Sequence, residues 1–375
     1  AQAYAIRVLG FGLDLVGTMV LLQIGMVGAG YLLGSLAISV LRDRRMAFWK
    51  AAGTVNRVLW ASVGFTHFLP EGLRGGYLLS SVALAQLSGS VAGVASGDVG
   101  ADLVSRERAL RFFGSLSSLN MVANALGLLT SATLFAALPR DEAYLVAYSI
   151  SLASAVVSSS LLAALRDVNP PTSRRSYREV LADLREVLGR DDCTSYLRLV
   201  VLFPLAVNLP AALWNYYLLT VLGGDETWVT LKAIVANLSQ SAGFRVWSRI
   251  SRRIGLRRVL QVGILLTSPI PAAFIFLPTL YGQLALEAYS GFVWAAYNLA
   301  NNIYTLYLPR RESRVYFITV VNLASNLVAS TVSRLGASIA SAGLAAMNAL
   351  FVSSALGRAL AAALARREAP NVPVG

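Results

Sequence analysis

The sequence predicts an all-α membrane protein in which eleven transmembrane helices form two pseudo-symmetric bundles, five helices in the first and six in the second. Three observations lead there. Of 375 residues, 56% are hydrophobic and only 14% are charged, with a mean hydropathy of +0.61. A water-soluble domain carries about 25% charged residues, so this chain has too few to cover a soluble surface. Apolar runs of roughly 20 residues recur along the whole length, each long enough for a helix to cross ~30 Å of hydrocarbon. Backbone groups in lipid must be paired within a helix or a closed barrel, and these runs are too long and too unalternating for barrel strands. Finally, one long polar segment, 166–197, divides the spans five against six.

Taken in order, hydropathy places the spans at 18–41, 48–69, 76–98, 109–138, 143–165, 198–222, 228–248, 259–277, 280–308, 315–340 and 343–364. The breaks between them alternate in character. RDRR (Arg42–Arg45), SRERALR (Ser105–Arg111), segment 166–197, SRRIGLRR (Ser251–Arg258), PRRESR (Pro309–Arg314) and the final ARRE are basic. PEGLRGG (Pro70–Gly76), PRDE (Pro139–Glu142), GGDET (Gly223–Thr227), PTLYG (Pro278–Gly282) and SAG (Ser341–Gly343) hold only Arg74 and Arg140. Short arginine-rich loops stay on the cytoplasmic side. The expected protein is therefore multi-pass in the plasma (cytoplasmic) membrane, with its basic loops and C-terminus in the cytoplasm. The net charge of +13 is chiefly a record of that topology, with attraction to anionic headgroups second. The bilayer, not nucleic acid, is the expected partner.

Several chemistries are excluded early. The single cysteine, Cys193, and single histidine, His67, leave no internal disulfide, no Cys/His metal cluster and no histidine-based triad. There is no glycine-lysine phosphate loop. No enzyme, cofactor or metal is expected.

Segment 166–197 opens with DVNPPTS, a helix-breaking linker. It continues with Tyr177, Val180, Leu181, Leu184, Val187 and Leu188 at helical spacing, the pattern of an amphipathic helix on a membrane surface. The expected organisation is an N-terminal bundle over 1–165, this cytoplasmic linker over 166–197, and a C-terminal six-helix bundle over 198–375.

The basic turns also repeat. RDRRMAFWK in the first half is matched by SRRIGLRRVL in the second, and SRERALRFFG by PRRESRVYF. Two halves with basic turns in corresponding places are a transporter arrangement. Here the sequence resembles the major facilitator superfamily over essentially its whole length. GYLLGSLAISVLRDRRMAFWK is similar to the family's signature loop between helices two and three, and NRVLW (Asn56–Trp60) to the helix three that follows. GADLVSRERALRFFG resembles the turn after helix four, WSRISRRIGLRRVL the second signature, and LPRRESRVYFITVVNLASNLV the turn into helix eleven. Two departures stand out. AIRVLGFGLDLVGT resembles the end of helix one and the start of helix two, so helix one is expected to be missing from this chain. In the second signature copy Arg252 stands where the acid normally sits.

The resemblance implies secondary transport, in which two bundles rock about a central site and expose it to each side in turn. Such a protein needs cytoplasmic contacts that lock one state. Asp43, Arg44, Asp102, Arg108, Arg253 and Arg257 are the gating candidates, with Asp43 and Asp102 expected to pair with Arg44, Arg108 or other arginines. It also needs polar groups facing a cavity, since polar side chains in lipid are costly. Glu287, Gly291, Trp294, Asn298, Asn301 and Thr305 form one stripe; Asn208 and Asn215 flank Pro210, with Tyr216 adjoining. Asn120 and Asn124, Asn322 and Asn326, and Gln86 complete the set on spans that the resemblance makes helices four, five, seven, ten and eleven. Small and amide residues of this kind also glue helices together. Amides and aromatics suit a small neutral or amphipathic organic solute. Glu287 is the candidate for proton coupling, because a carboxyl moving between water and low dielectric can gain and lose a proton; a structural pairing with Lys232 is the alternative. Rival readings are a multidrug or lipid exporter of the same fold, and a non-transporting sensor or decayed paralogue. A monomer is expected.

Overall fold

The computed structural model describes residues 4–5, 9, 13–40, 42–167, 182, 185–211 and 213–372. Among them every regular element is helical. Helix α1 (Leu13–Val40) is followed by a 3-10 turn at Arg42–Arg44 and α2 (Arg45–Ser62), which tightens into a second 3-10 stretch, Val63–Phe68. Then come α3 (Glu71–Leu103), α4 (Arg106–Ala137), α5 (Arg140–Ala164), α6 (Asp191–Asn208), α7 (Leu213–Thr220), α8 (Glu226–Ile254), α9 (Leu256–Thr267), α10 (Pro269–Phe276), α11 (Leu280–Tyr307), α12 (Arg314–Ala340) and α13 (Leu344–Glu368).

Each hydropathy span coincides with one of these helices or with a helix broken in its middle. The breaks have covalent causes. Pro210 lies between α6 and α7, and Pro269 begins α10, where proline removes an amide donor and crowds the preceding turn. At the sharp turns α8–α9 and α12–α13, Gly255 (φ 85°) and Gly343 (φ 119°) take backbone angles that a side chain would resist. Among the described residues, seven helical segments are long and apolar enough to cross a membrane: those at 71–103, 106–137, 141–164, 191–219, 256–276, 314–340 and 344–368. Helix α8 is long enough too, but Lys232, Arg245, Arg249, Arg252 and Arg253 make it more polar. Of the expected remnant of helix one and start of helix two at Ala5–Thr18, residues 13–18 begin α1, and residues 6–8 and 10–12 lie outside the described residues. Tyr177, Val180, Leu181 and Leu184 of the expected linker helix also lie outside them; of its remainder, Val187 is buried and Leu188 exposed.

The chain forms two compact units. The first comprises residues 1–103, 131–184 and 318–323, the second 104–130, 185–317 and 324–375. In the first, α3 packs against α1 and α2, and α5 against α2. Small residues make these approaches possible: a Cβ on Gly30 would lie 2.5 Å from the Leu87 carbonyl oxygen, and Gly89 sits under the Asn56 amide. Asn56 donates to Ala85 O at 2.7 Å, which fixes α2 on α3.

In the second unit α8 and α11 form the longest seam, closed where Gly243 meets Phe292 and Gly291 meets the backbone of Ala236. Helix α13 lies on α6, with Ser354 donating to Ala206 O at 2.8 Å. Trp214, Tyr217, Phe274 and Phe351 interlock edge to face beside it.

Candidate functional site

Within the second unit a cavity of about 210 Å³ is lined by Val207, Trp214, Ile270, Glu287, Ser290, Trp294 and Arg358. Helical periodicity supplies one wall: Glu287, Ser290 and Trp294 stand at i, i+3 and i+7 on α11. Two broken helices supply others, because the interruptions at Pro210 and Pro269 leave Trp214 and Ile270 at the starts of α7 and α10. Helix α13 contributes Arg358 from its middle.

Three charged groups meet here. Lys232 on α8 is 5% exposed, and its Nζ lies 3.0 Å from Glu287 Oε1 and 5.3 Å from the Phe274 ring centroid. Arg358 is 2% exposed. Its Nη1 donates to Thr267 O at 3.1 Å, and its guanidinium lies 5.9 Å from the Trp294 ring centroid. Its Nε has no hydrogen-bond partner among the described residues, and no described carboxylate lies within ion-pair distance. The site therefore holds two cations and one anion behind mostly apolar walls, the composition of a small-molecule pocket.

A different arrangement is built in the first unit. Arg45, the first residue of α2, is fully buried, and three carboxylates converge on it. Its Nη1 lies 2.8 Å from both Asp98 and Asp102, while Nε and Nη2 grip Asp167 at 2.8 and 2.9 Å. Asp98 and Asp102, one helical turn apart on α3, present themselves on the same face. The fork of the guanidinium is what allows one residue to join α2, α3 and the chain just beyond α5.

The sequence-predicted residues fall into several environments. Trp294 and Glu287 line the cavity. Asn301 accepts a hydrogen bond from Tyr196 Oη at 2.6 Å, and Asn298 is half-buried. Asn208 and Asn322 are half-buried and donate within their own helices, to Pro204 O and Ile318 O. Gln86 and Asn326 are half-buried; Asn120, Asn124, Asn215 and Tyr216 are exposed. Of the gating candidates, Asp102 meets Arg45 rather than Arg44 or Arg108 among its described partners. Asp43, Arg44, Arg108 and Arg253 are exposed, and Arg257 donates to Arg366 O on α13. The sequence reading did not single out Arg45, Asp98, Asp167 or Arg358. For Arg358 the signal was present: it is the one charge in the apolar interior of span 343–364. For Arg45 it was hidden by three neighbouring charges in RDRR.

Comparison with known proteins places the whole architecture. A family model described as MFS/sugar transport protein matches residues 78–350. No curated protein sequence matches the chain. Among solved structures, the proton:xylose symporter XylE matches with a TM-score of 0.73 at 12% identity, covering 98% of this chain and 90% of that one. A bacterial homologue of the iron transporter ferroportin matches at 0.72 and 14% identity, covering 97% and 93%. The human organic anion transporter MFSD10 matches at 0.69 and 17% identity, covering 97% and 88%. At these identities the likeness is one of fold.

Proposed function

Because the chain belongs to the major facilitator superfamily and is a multi-pass, all-α membrane protein of that fold, we propose that it is a secondary active transporter. It moves a small neutral or amphipathic organic solute by alternating access, with protons as the coupling ion. Its two bundles are residues 1–165 and 198–375, joined by 166–197, and its basic loops face the cytoplasm of the cell's plasma membrane. The structural relatives are described as a xylose symporter, a homologue of an iron transporter and an organic anion transporter, so the fold alone selects no cargo.

The observation that carries the reading is the cavity at Trp294. It has aromatic and aliphatic walls, three polar side chains, and among them a carboxylate, Glu287, paired with Lys232. The Arg45 cluster, with Asp102 in it, is the part suited to hold one state closed. Partly shielded ion pairs bias a two-state equilibrium when they exist in only one state.

Flux into proteoliposomes with and without an imposed proton gradient tests this. Gradient-driven uptake should occur in the unmodified protein, and Glu287→Gln should keep solute binding while losing the response to the gradient. Full gradient-driven uptake by Glu287→Gln would remove Glu287 from the coupling role. The absence of flux for every solute that binds would favour a sensor.

A further inference from the structure

We propose that the cavity beside Trp294 receives a small organic monocarboxylate, its carboxylate held by Arg358 and its apolar body lying against Trp214, Ile270 and Val207. The proposal deepens the transport reading by choosing the amphipathic solute over the neutral one and naming its class, and depends on that reading for turnover though not for binding.

The first argument is satisfaction. A guanidinium carries five N–H donors and cannot shed its charge. Arg358 sits in the middle of a membrane-length helix at 2% exposure, with one carbonyl and one ring face as its described partners and Nε left without any. An ionised group inside a membrane protein is retained when it is paired or when it serves a ligand or ion path. If its task were only to tie α13 to the end of α9 through Thr267 O, a neutral amide would suffice, without the cost of burying a charge.

The second argument is charge balance. Lys232 and Glu287 neutralise each other at 3.0 Å. Arg358 is then the surplus, and a single negative charge completes the site. A neutral solute leaves that cation uncompensated in low dielectric, and a dianion overshoots.

Shape gives the third. The guanidinium's planar fork takes a carboxylate through two parallel hydrogen bonds. The remaining walls offer rings and aliphatic carbon, which suit a hydrocarbon body better than a polyol. At about 210 Å³ the space is below the ~300–1,000 Å³ usual for drug-sized ligands, so a small acid fits where a lipid does not.

The test uses the full chain in lipid nanodiscs, with calorimetry and tryptophan fluorescence as binding readouts. The probes are phenylacetate, benzoate and isovalerate, each beside its uncharged amide, and chloride. At least one acid should bind saturably, tenfold or more tighter than its amide. Arg358→Gln should abolish that preference, and Arg358→Lys, which keeps the charge but not the fork, should weaken acid binding about tenfold. The lysine variant, checked for an unchanged melting temperature, carries the test if the glutamine variant does not fold. Equal affinity for acids and amides, no binding of any acid, acid binding indifferent to both substitutions, or chloride displacing the acid at equal concentration would each overturn the proposal. Flux separates the two readings: acid binding without acid flux keeps this site and sinks the transporter, whereas flux of a solute that ignores Arg358 does the reverse.

Discussion

Arg45, at the start of α2, and Arg358, midway along α13, are buried almost equally, yet three carboxylates meet the first and a carbonyl and an indole face meet the second. The cost of taking each guanidinium out of water is similar in kind. At Arg45 it is offset by charge-assisted hydrogen bonds to α3 and to Asp167, so the residue is compensated within the chain itself. At Arg358 little offsets it, so the cost is retained in the folded molecule, as expected of a group whose partner comes and goes. Burial alone does not separate the two roles; the company of the buried charge does.

This contrast can be broken experimentally, most forcefully at Arg45. Arg45→Met should lower stability by about 3–5 kcal/mol, the range for removing one partner of a buried ion pair, read as a large fall in melting temperature in detergent. Adding Asp98→Asn should recover part of that loss, because the two residues share one network; an additive further loss would show that they act independently.

A smaller effect is expected at the partly buried pair. Glu287→Gln leaves Lys232 without its carboxylate and should cost roughly 1–3 kcal/mol, less than at Arg45 because Glu287 is more open. Pairing it with Lys232→Met should restore most of the stability, and no recovery would mean the two charges are not coupled.

Arg358→Met should change stability by less than about 1 kcal/mol or raise it, since replacing a poorly compensated buried charge with an apolar chain is often neutral or favourable. A loss as large as that at Arg45 would erase the distinction between the two arginines. Least of all, Asn120→Ala and Asn124→Ala on the exposed face of α4 should stay within about 0.5 kcal/mol. If they nonetheless alter flux, that face meets the solute.

Much of this was legible in the chain as written. Spans 76–98 and 109–138 needed only hydropathy; α3 (Glu71–Leu103) runs about five residues beyond the estimate at each end because more polar ends such as GDVGADL continue the helix past the apolar core, whereas α4 (Arg106–Ala137) starts about three earlier and ends about one short. The stripe on 280–308 placed Glu287 and Trp294 together by period alone, and both line the cavity. The Asn-rich faces were less informative. Asn208 and Asn322 bond to carbonyls four residues back in their own helices, and a periodic pattern cannot distinguish an amide turned inward on its backbone from one turned to a ligand.

What the sequence determined by itself was everything that follows from composition, period and short-range chemistry: a helical membrane protein, its spans, its breaks at proline and glycine, and the doubled basic turns of its superfamily. Which charges meet was decided only by the tertiary structure. Arg45 and Asp167 are 122 residues apart and Arg358 and Thr267 are 91 apart. No local pattern encodes such pairs, because each arises from which helix face packing turns inward. RDRR has three arginines that look alike in sequence; packing buries Arg45 against α3, exposes Arg44 along with Asp43, and so assigns their roles.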